Sequence, residues 1–106
     1  MLISDELRAE GYAVIEALNA TEALSILNSG VCIDLVLTDV RMPGEIDGLG
    51  LLAFVKSHYP DIPVIVTSGH LPAEIALDEG AVLFLPKPYT FTRALILIQD
   101  VLAMPS

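Results

Sequence analysis

"DLVLTDVRMPG" (residues 34–44) is the stretch on which the reading of the whole chain turns. Leu35, Val36 and Leu37 lead to a carboxylate, Asp39, and a turn follows at once with Pro43 and Gly44. A strand with aliphatic residues on both faces therefore ends in a charge. Burying an isolated carboxylate is costly unless it is paired, hydrogen-bonded or bound to a metal. Asp39 is thus either solvated at the mouth of a sheet or the working group of a site there.

Working outward, short apolar runs alternate with amphipathic stretches. "YAVIEA" (residues 12–17) reads as a strand after the break at Gly11. "TEALSIL" (residues 21–27) has helical spacing, with Asn19 and Thr21 as caps and "NSG" as its end. "CIDLVLTDV" is the next strand. "DGLGLLAFVKSHY" (residues 47–59) follows as a helix with Leu49, Leu52, Phe54 and Val55 on its apolar stripe, and the prolines of "PDIP" close it. "PVIVTSG" predicts a strand, "PAEIALDEG" a short helix, "VLFL" a strand, and "TFTRALILIQDVL" a final helix over about 91–102. The strands are near-continuous aliphatic runs, the signature of a parallel sheet covered on both faces. The expected fold class is doubly wound α/β in a single domain spanning residues 1–106.

In such sheets ligands bind outside the carboxyl ends of the strands. Those ends carry Asp39, then Thr67 and Ser68, then Pro86, Lys87 and Pro88. A carboxylate, a hydroxyl and an ammonium on one edge suit phosphoryl chemistry. Asp39 can act as the nucleophile. Lys87 supplies positive charge and Thr67 a hydroxyl donor for the phosphoryl oxygens. Phosphoryl transfer normally calls for Mg²⁺, which prefers oxygen ligands; Asp39 and the backbone carbonyl of Arg41 are candidates. Read singly, each has a plainer explanation: Asp39 a solvated loop carboxylate, Lys87 a snorkelling strand-end lysine, Thr67 a backbone cap. Asp47 is expected to cap the helix after it. His58 and His70 lack metal-ligand spacing and read as surface imidazoles, with His70 bordering the site.

Composition narrows the function. Hydrophobic residues make up 54% of 106, which excludes a disordered tail. No apolar run approaches the roughly 18 residues of a membrane span, and the start has no signal-peptide pattern. A formal net charge of −9 repels nucleic-acid phosphates. Cys32, the only cysteine, reads as a small buried hydrophobe at the start of a strand. The expected setting is cytoplasmic, with no membrane and no direct nucleic-acid contact.

"LTDVRMPGEIDG", "PVIVTSG" and "LFLPKPY", in this order and spacing, resemble the receiver domain of two-component response regulators. The resemblance covers almost the whole chain. It implies a flavodoxin-like fold, with Asp39 as phospho-acceptor, Thr67 as switch hydroxyl, Lys87 as the lysine that pairs with the phosphoryl group, and Phe84 as the aromatic that changes rotamer on activation. The Lys87–Pro88 bond matches a position often cis in that family. The implied partners are a histidine kinase or phosphotransfer protein and a downstream protein. The implied role is that of a phosphoryl acceptor and not of an enzyme in the usual sense, although receivers assist their own phosphorylation and dephosphorylation.

The departures from the pattern point another way. A receiver opens with a strand ending in two acidic residues that hold Mg²⁺, and only "MLISDELRAE" precedes Gly11–Tyr12 here. Asp5 and Glu6 read as the solvated face of a helical fragment and not as replacements for the pair. The expectation is an N-terminally truncated receiver with its first strand missing and four strands remaining, or a longer gene product with Met1 as an internal start. A missing central strand leaves open inner edges, which invite pairing with another chain and a homodimer. Two functional readings follow: a phospho-accepting receiver with Mg²⁺ binding impaired, and a degenerate, phosphorylation-independent interaction or oligomerisation module.

Overall fold

The computed structural model describes residues 2–41 and 44–104. Within them run α1 (Leu2–Ala9), α2 (Ala20–Asn28), β1 (Val36–Asp39), α3 (Gly48–His58), β2 (Val64–Ser68), α4 (Ala73–Asp78), β3 (Leu83–Pro86) and α5 (Phe91–Ala103). The three strands form one parallel sheet in the order β1-β2-β3. Val36 stands beside Val64 and Asp39 beside Thr67; Ile65 stands beside Leu83 and Ser68 beside Pro86.

Helices α2, α3 and α5 begin where polar side chains occupy their free amides, whereas α4 starts after Pro72 with no side-chain cap. Asn19 accepts from the Glu22 amide at 2.8 Å, and Glu22 reaches back to the Leu18 amide at 3.2 Å. Asp47 accepts from the Gly50 amide at 2.8 Å and Thr90 from the Arg93 amide at 3.1 Å. The expected caps Asn19 and Asp47 are therefore in place. Gly30, just after α2, has φ +88°, a conformation open to glycine and strained for other residues.

The central strand β2 shows why the sheet holds. Val64, Ile65 and Val66 are all buried, with Val64 and Val66 on one face and Ile65 on the other. The first face packs against α2, α3 and α4 through Leu27, Leu51, Leu52, Val55 and Ala76. The second packs against α1 and α5 through Leu7, Ala94, Ile98 and Val101, with Leu85 from β3. Along α3 the buried positions are Gly48, Leu51, Leu52 and Val55, with Leu49 and Phe54 only half-buried. The stripe is thus rotated towards Leu51 from the one expected, because the helix packs into the angle between the sheet and α2.

Two expectations are corrected. Residues 12–17 form no strand, so the sheet has three strands among the described residues and not four. Tyr12 and Val14 are half-buried against the α1–α5 layer while Ala13 and Ile15 are exposed, so the segment keeps strand-like alternation. What it lacks is a neighbour: between it and β1 lies an open groove of about 560 Å³. A strand is stabilised by its ladder, and an extended segment without one is not a strand. Cys32 is exposed and not buried, because β1 starts only at Val36 and leaves residue 32 in the preceding loop.

Candidate functional site

The carboxyl edge of the sheet opens into a pocket of about 580 Å³. Asp39 enters it from the end of β1, Thr67 and Ser68 from the end of β2, and Lys87 from the residue after β3, with His70 and Tyr89 on the rim. Parallel register does the assembling: Asp39 beside Thr67, and Ser68 beside Pro86. The Lys87 amide donates to the Ser68 carbonyl at 3.0 Å, fixing the loop that carries the ammonium, and the Lys87–Pro88 peptide is cis.

Asp39 is held from behind by α3. The Gly48 amide donates to the Val40 carbonyl at 2.8 Å, and a Cβ at Gly48 would fall 1.8 Å from the Asp39 carbonyl oxygen. Only hydrogen fits there. The helix start is thus pressed against the strand end that carries the carboxylate.

The Lys87 ammonium lies 2.5 Å from Asp39 Oδ1, with the two side chains 45% and 33% exposed. Oδ1 is itself fully covered and makes no hydrogen bond of acceptable geometry. The contact is therefore an ion pair whose closeness carries it, not an aligned N–H···O bond. With Oδ1 covered and the side chain one-third exposed, Oδ2 is the carboxylate oxygen open to the pocket. The Thr67 hydroxyl points elsewhere and donates to the Leu85 carbonyl at 2.6 Å. Sheet register therefore brings Thr67 to the site, while its proton is engaged on β3. Ser68 Oγ accepts from the His70 and Leu71 amides at 3.1 and 3.0 Å and shapes the loop above the pocket.

Phe84 lies outside the pocket, half-buried against the α2–α3–α4 layer, on the opposite face of β3 from Leu85. His58 stacks on Phe54 at 4.1 Å, remote from the site. Asp5 pairs with Arg8 at 3.3 Å on an exposed face, and Glu6 is exposed too. Two residues escaped the sequence reading. Tyr89, the last letter of "PKPY", lines the pocket, and burial, then the charge of Asp39, raise its phenol above the ordinary value, with Lys87 opposing. Gly48, the first residue of α3, is the other, and its role is close approach to the Asp39 backbone. Met42 and Pro43 of the turn motif lie outside the described residues.

The donor set does not make a Mg²⁺ site by itself. Mg²⁺ needs several oxygen ligands in near-octahedral order. Asp39 offers one carboxylate, already faced by Lys87, and Arg41 lines the pocket where its carbonyl could join. Among the described residues no three His, Cys, Asp or Glu side chains are grouped to hold a metal.

The comparisons with known proteins bear on this edge. The family model for the response regulator receiver domain matches residues 1–99. The chain is 38% identical over 102 residues to a putative NtrX-like response regulator of Rickettsia typhi, covering 92% of this chain and 21% of that protein. It is 39% identical over 84 residues to the DNA-binding transcriptional regulator NtrC of Proteus hauseri, covering 76% of this chain and 17% of that one. The chain thus spans about a fifth of the length of these relatives. The crystal structure of the NtrX receiver domain from Brucella abortus superimposes with a TM-score of 0.90 at 31% identity, over 98% of this chain and 89% of that one. A parallel sheet with Asp39 and Lys87 at its carboxyl edge, matched almost end to end by that family, makes this chain a member of the response regulator receiver domains of two-component systems.

Proposed function

We propose that this receiver domain accepts a phosphoryl group on Asp39 from a phosphohistidine of a histidine kinase or phosphotransfer protein. The observation that carries the reading is the Asp39–Lys87 pair at the pocket floor, with Oδ2 left open. Oδ2 attacks phosphorus, the O–P bond forms and the donor's P–N bond breaks. The electron pair stays on the imidazole nitrogen, which is protonated there. Lys87 stands beside the acceptor and balances the negative charge that arrives. Thr67 can follow by turning its hydroxyl from the Leu85 carbonyl to a phosphoryl oxygen. The chain is then an acceptor and not a turnover enzyme, and its output passes by protein contact near Phe84 and α5, which lie on the two faces of β3. The acidic surface, and the absence of any helix long and apolar enough to cross a membrane among the described residues, suit a cytoplasmic setting.

Receiver domains generally bind Mg²⁺ at an acidic pocket, and this chain's described residues offer it too few ligands. That observation favours a second reading, a phosphorylation-independent interaction module. Intact mass after incubation with acetyl phosphate and Mg²⁺, beside Asp39→Asn, separates the two. The first reading expects a phosphoryl adduct in the wild type and none in the variant. A folded wild-type chain that gains no adduct overturns it and leaves the interaction module.

A further inference from the structure

A phosphoryl group on Asp39 would present its oxygens to the pocket, and the acceptor reading uses two side chains to meet them. Lys87 already faces Oδ1 at 2.5 Å, and the Thr67 hydroxyl is engaged on the Leu85 carbonyl at 2.6 Å. Ser68 Oγ is tied into its own loop by the His70 and Leu71 amides. Arg41 and His70 are exposed residues at the rim.

Tyr89 differs from all of these. Its ring is half-buried and packs against the α1–α5 layer. The chain is pinned on both sides of it: the Lys87 amide donates to the Ser68 carbonyl at 3.0 Å, and Thr90 accepts from the Arg93 amide at 3.1 Å. A packed ring on so fixed a stem is in place before any ligand arrives. It reaches the pocket closely enough to feel both charges there: the Asp39 carboxylate adds to burial in raising the phenol, and Lys87 opposes. The hydroxyl is thus a neutral O–H at neutral pH, and it has no hydrogen-bond partner among the described residues. The charge that a phosphoryl group brings would hold its proton more firmly still, which suits a donor and not a base. Unlike Thr67, it can meet a phosphoryl oxygen without giving up another bond.

The chemistry decides what such a bond would do. The attached group is lost when water attacks phosphorus. The bond from Asp39 to phosphorus breaks, its electron pair returns to the carboxylate, the water's proton passes to solvent and inorganic phosphate leaves. The transition state is loose, and charge moves from the phosphoryl oxygens towards the departing carboxylate. A donor on those oxygens therefore binds the attached group better than the transition state for its loss, and slows that loss.

We propose that Tyr89 is a binding residue of the phosphorylated state: its phenol donates a hydrogen bond to a phosphoryl oxygen on Asp39 and prolongs the life of the acyl phosphate. The inference rests on the acceptor reading above. The test loads the whole chain with acetyl phosphate and Mg²⁺, removes the donor by rapid desalting, and follows loss of the adduct by intact mass in the wild type, Tyr89→Phe and Tyr59→Phe. Tyr89→Phe keeps the ring and should shorten the half-life at least about threefold. Tyr59→Phe removes a phenol outside the pocket and should leave the half-life unchanged. A second readout labels the tyrosine Cζ carbons with ¹³C for NMR. Of the three tyrosine signals, the one that Tyr89→Phe removes should move on phosphorylation and stay in place in Asp39→Asn. Equal half-lives in the wild type and Tyr89→Phe, or a Tyr89 signal unmoved in the phosphorylated chain, overturn the proposal alone. So does an equal shortening in Tyr59→Phe, which would trace the effect to stability. A folded wild-type chain that takes no adduct overturns the acceptor reading and this inference with it.

Discussion

Residues 12–17 and strand β2 start from nearly the same material. "YAVIEA" and "VIVTS" are both short and apolar, and both carry β-branched residues. One has become the centre of a sheet, with Ile65 only 1% exposed; the other holds extended residues without a ladder, with Ile15 53% exposed. β2 has a strand on each side and a helical layer on each face. The earlier segment has a helical layer on one face and a groove along its side. Strand formation is thus decided by neighbours more than by propensity.

That contrast can be broken at four points. The largest effect is expected where β1 meets α3. Gly48→Ala puts a methyl into the Asp39 backbone, which has no room to yield, and should cost about 4 kcal/mol or prevent folding. Urea unfolding reads the cost directly. Next comes the matched pair Ile65→Ala and Ile15→Ala. The first should lose about 3 kcal/mol and the second less than about 0.5 kcal/mol; equal losses would mean that the earlier segment is packed after all.

A smaller effect is expected at Tyr59, whose hydroxyl donates to Asn28 Oδ1 at 2.5 Å and also lies 3.2 Å from the Leu27 carbonyl, tying the end of α3 to the end of α2. Tyr59→Phe should cost about 1 kcal/mol in the same unfolding measurement.

The smallest effect concerns Tyr89. Its phenol is raised above 10.0 by burial first and by Asp39 second. The folded chain therefore holds that proton more tightly than the unfolded chain. The stability this contributes is complete below the ordinary phenol value and declines as pH rises through the folded one. An ultraviolet titration should show one late-ionising tyrosine that Tyr89→Phe removes and Asp39→Asn moves earlier.

Most of the fold was legible because apolar runs and caps are local. Asn19, Asp47 and the strand cores of β1, β2 and β3 needed only a few residues to declare themselves. The convergence of Asp39, Thr67 and Lys87 was legible for a second reason: parallel strands bring their carboxyl ends to one edge, so order along the chain implies position in space. The misreadings share a cause. Whether residues 12–17 find a ladder, whether Cys32 is covered, and whether Gly48 touches Asp39 depend on what lies across a gap in space, and no local pattern encodes that. Tyr89 was in plain view in "PKPY", but nothing in the spacing separates a pocket rim from a helix approach.

The Thr67 hydroxyl has a consequence beyond its place in the pocket. At rest it donates to the Leu85 carbonyl in the neighbouring strand. Turning it towards a group on Asp39 would strip a buried carbonyl of that bond, at a cost of about 1–3 kcal/mol. On the proposed function the resting bond would set a threshold for turning the hydroxyl. Only a group whose oxygens bond the hydroxyl at least as well as the Leu85 carbonyl does would offset that cost, and on the proposed function one covalently held on Asp39 would be placed to do so. Two neighbouring strands would then act as a latch that tells occupancy from commitment.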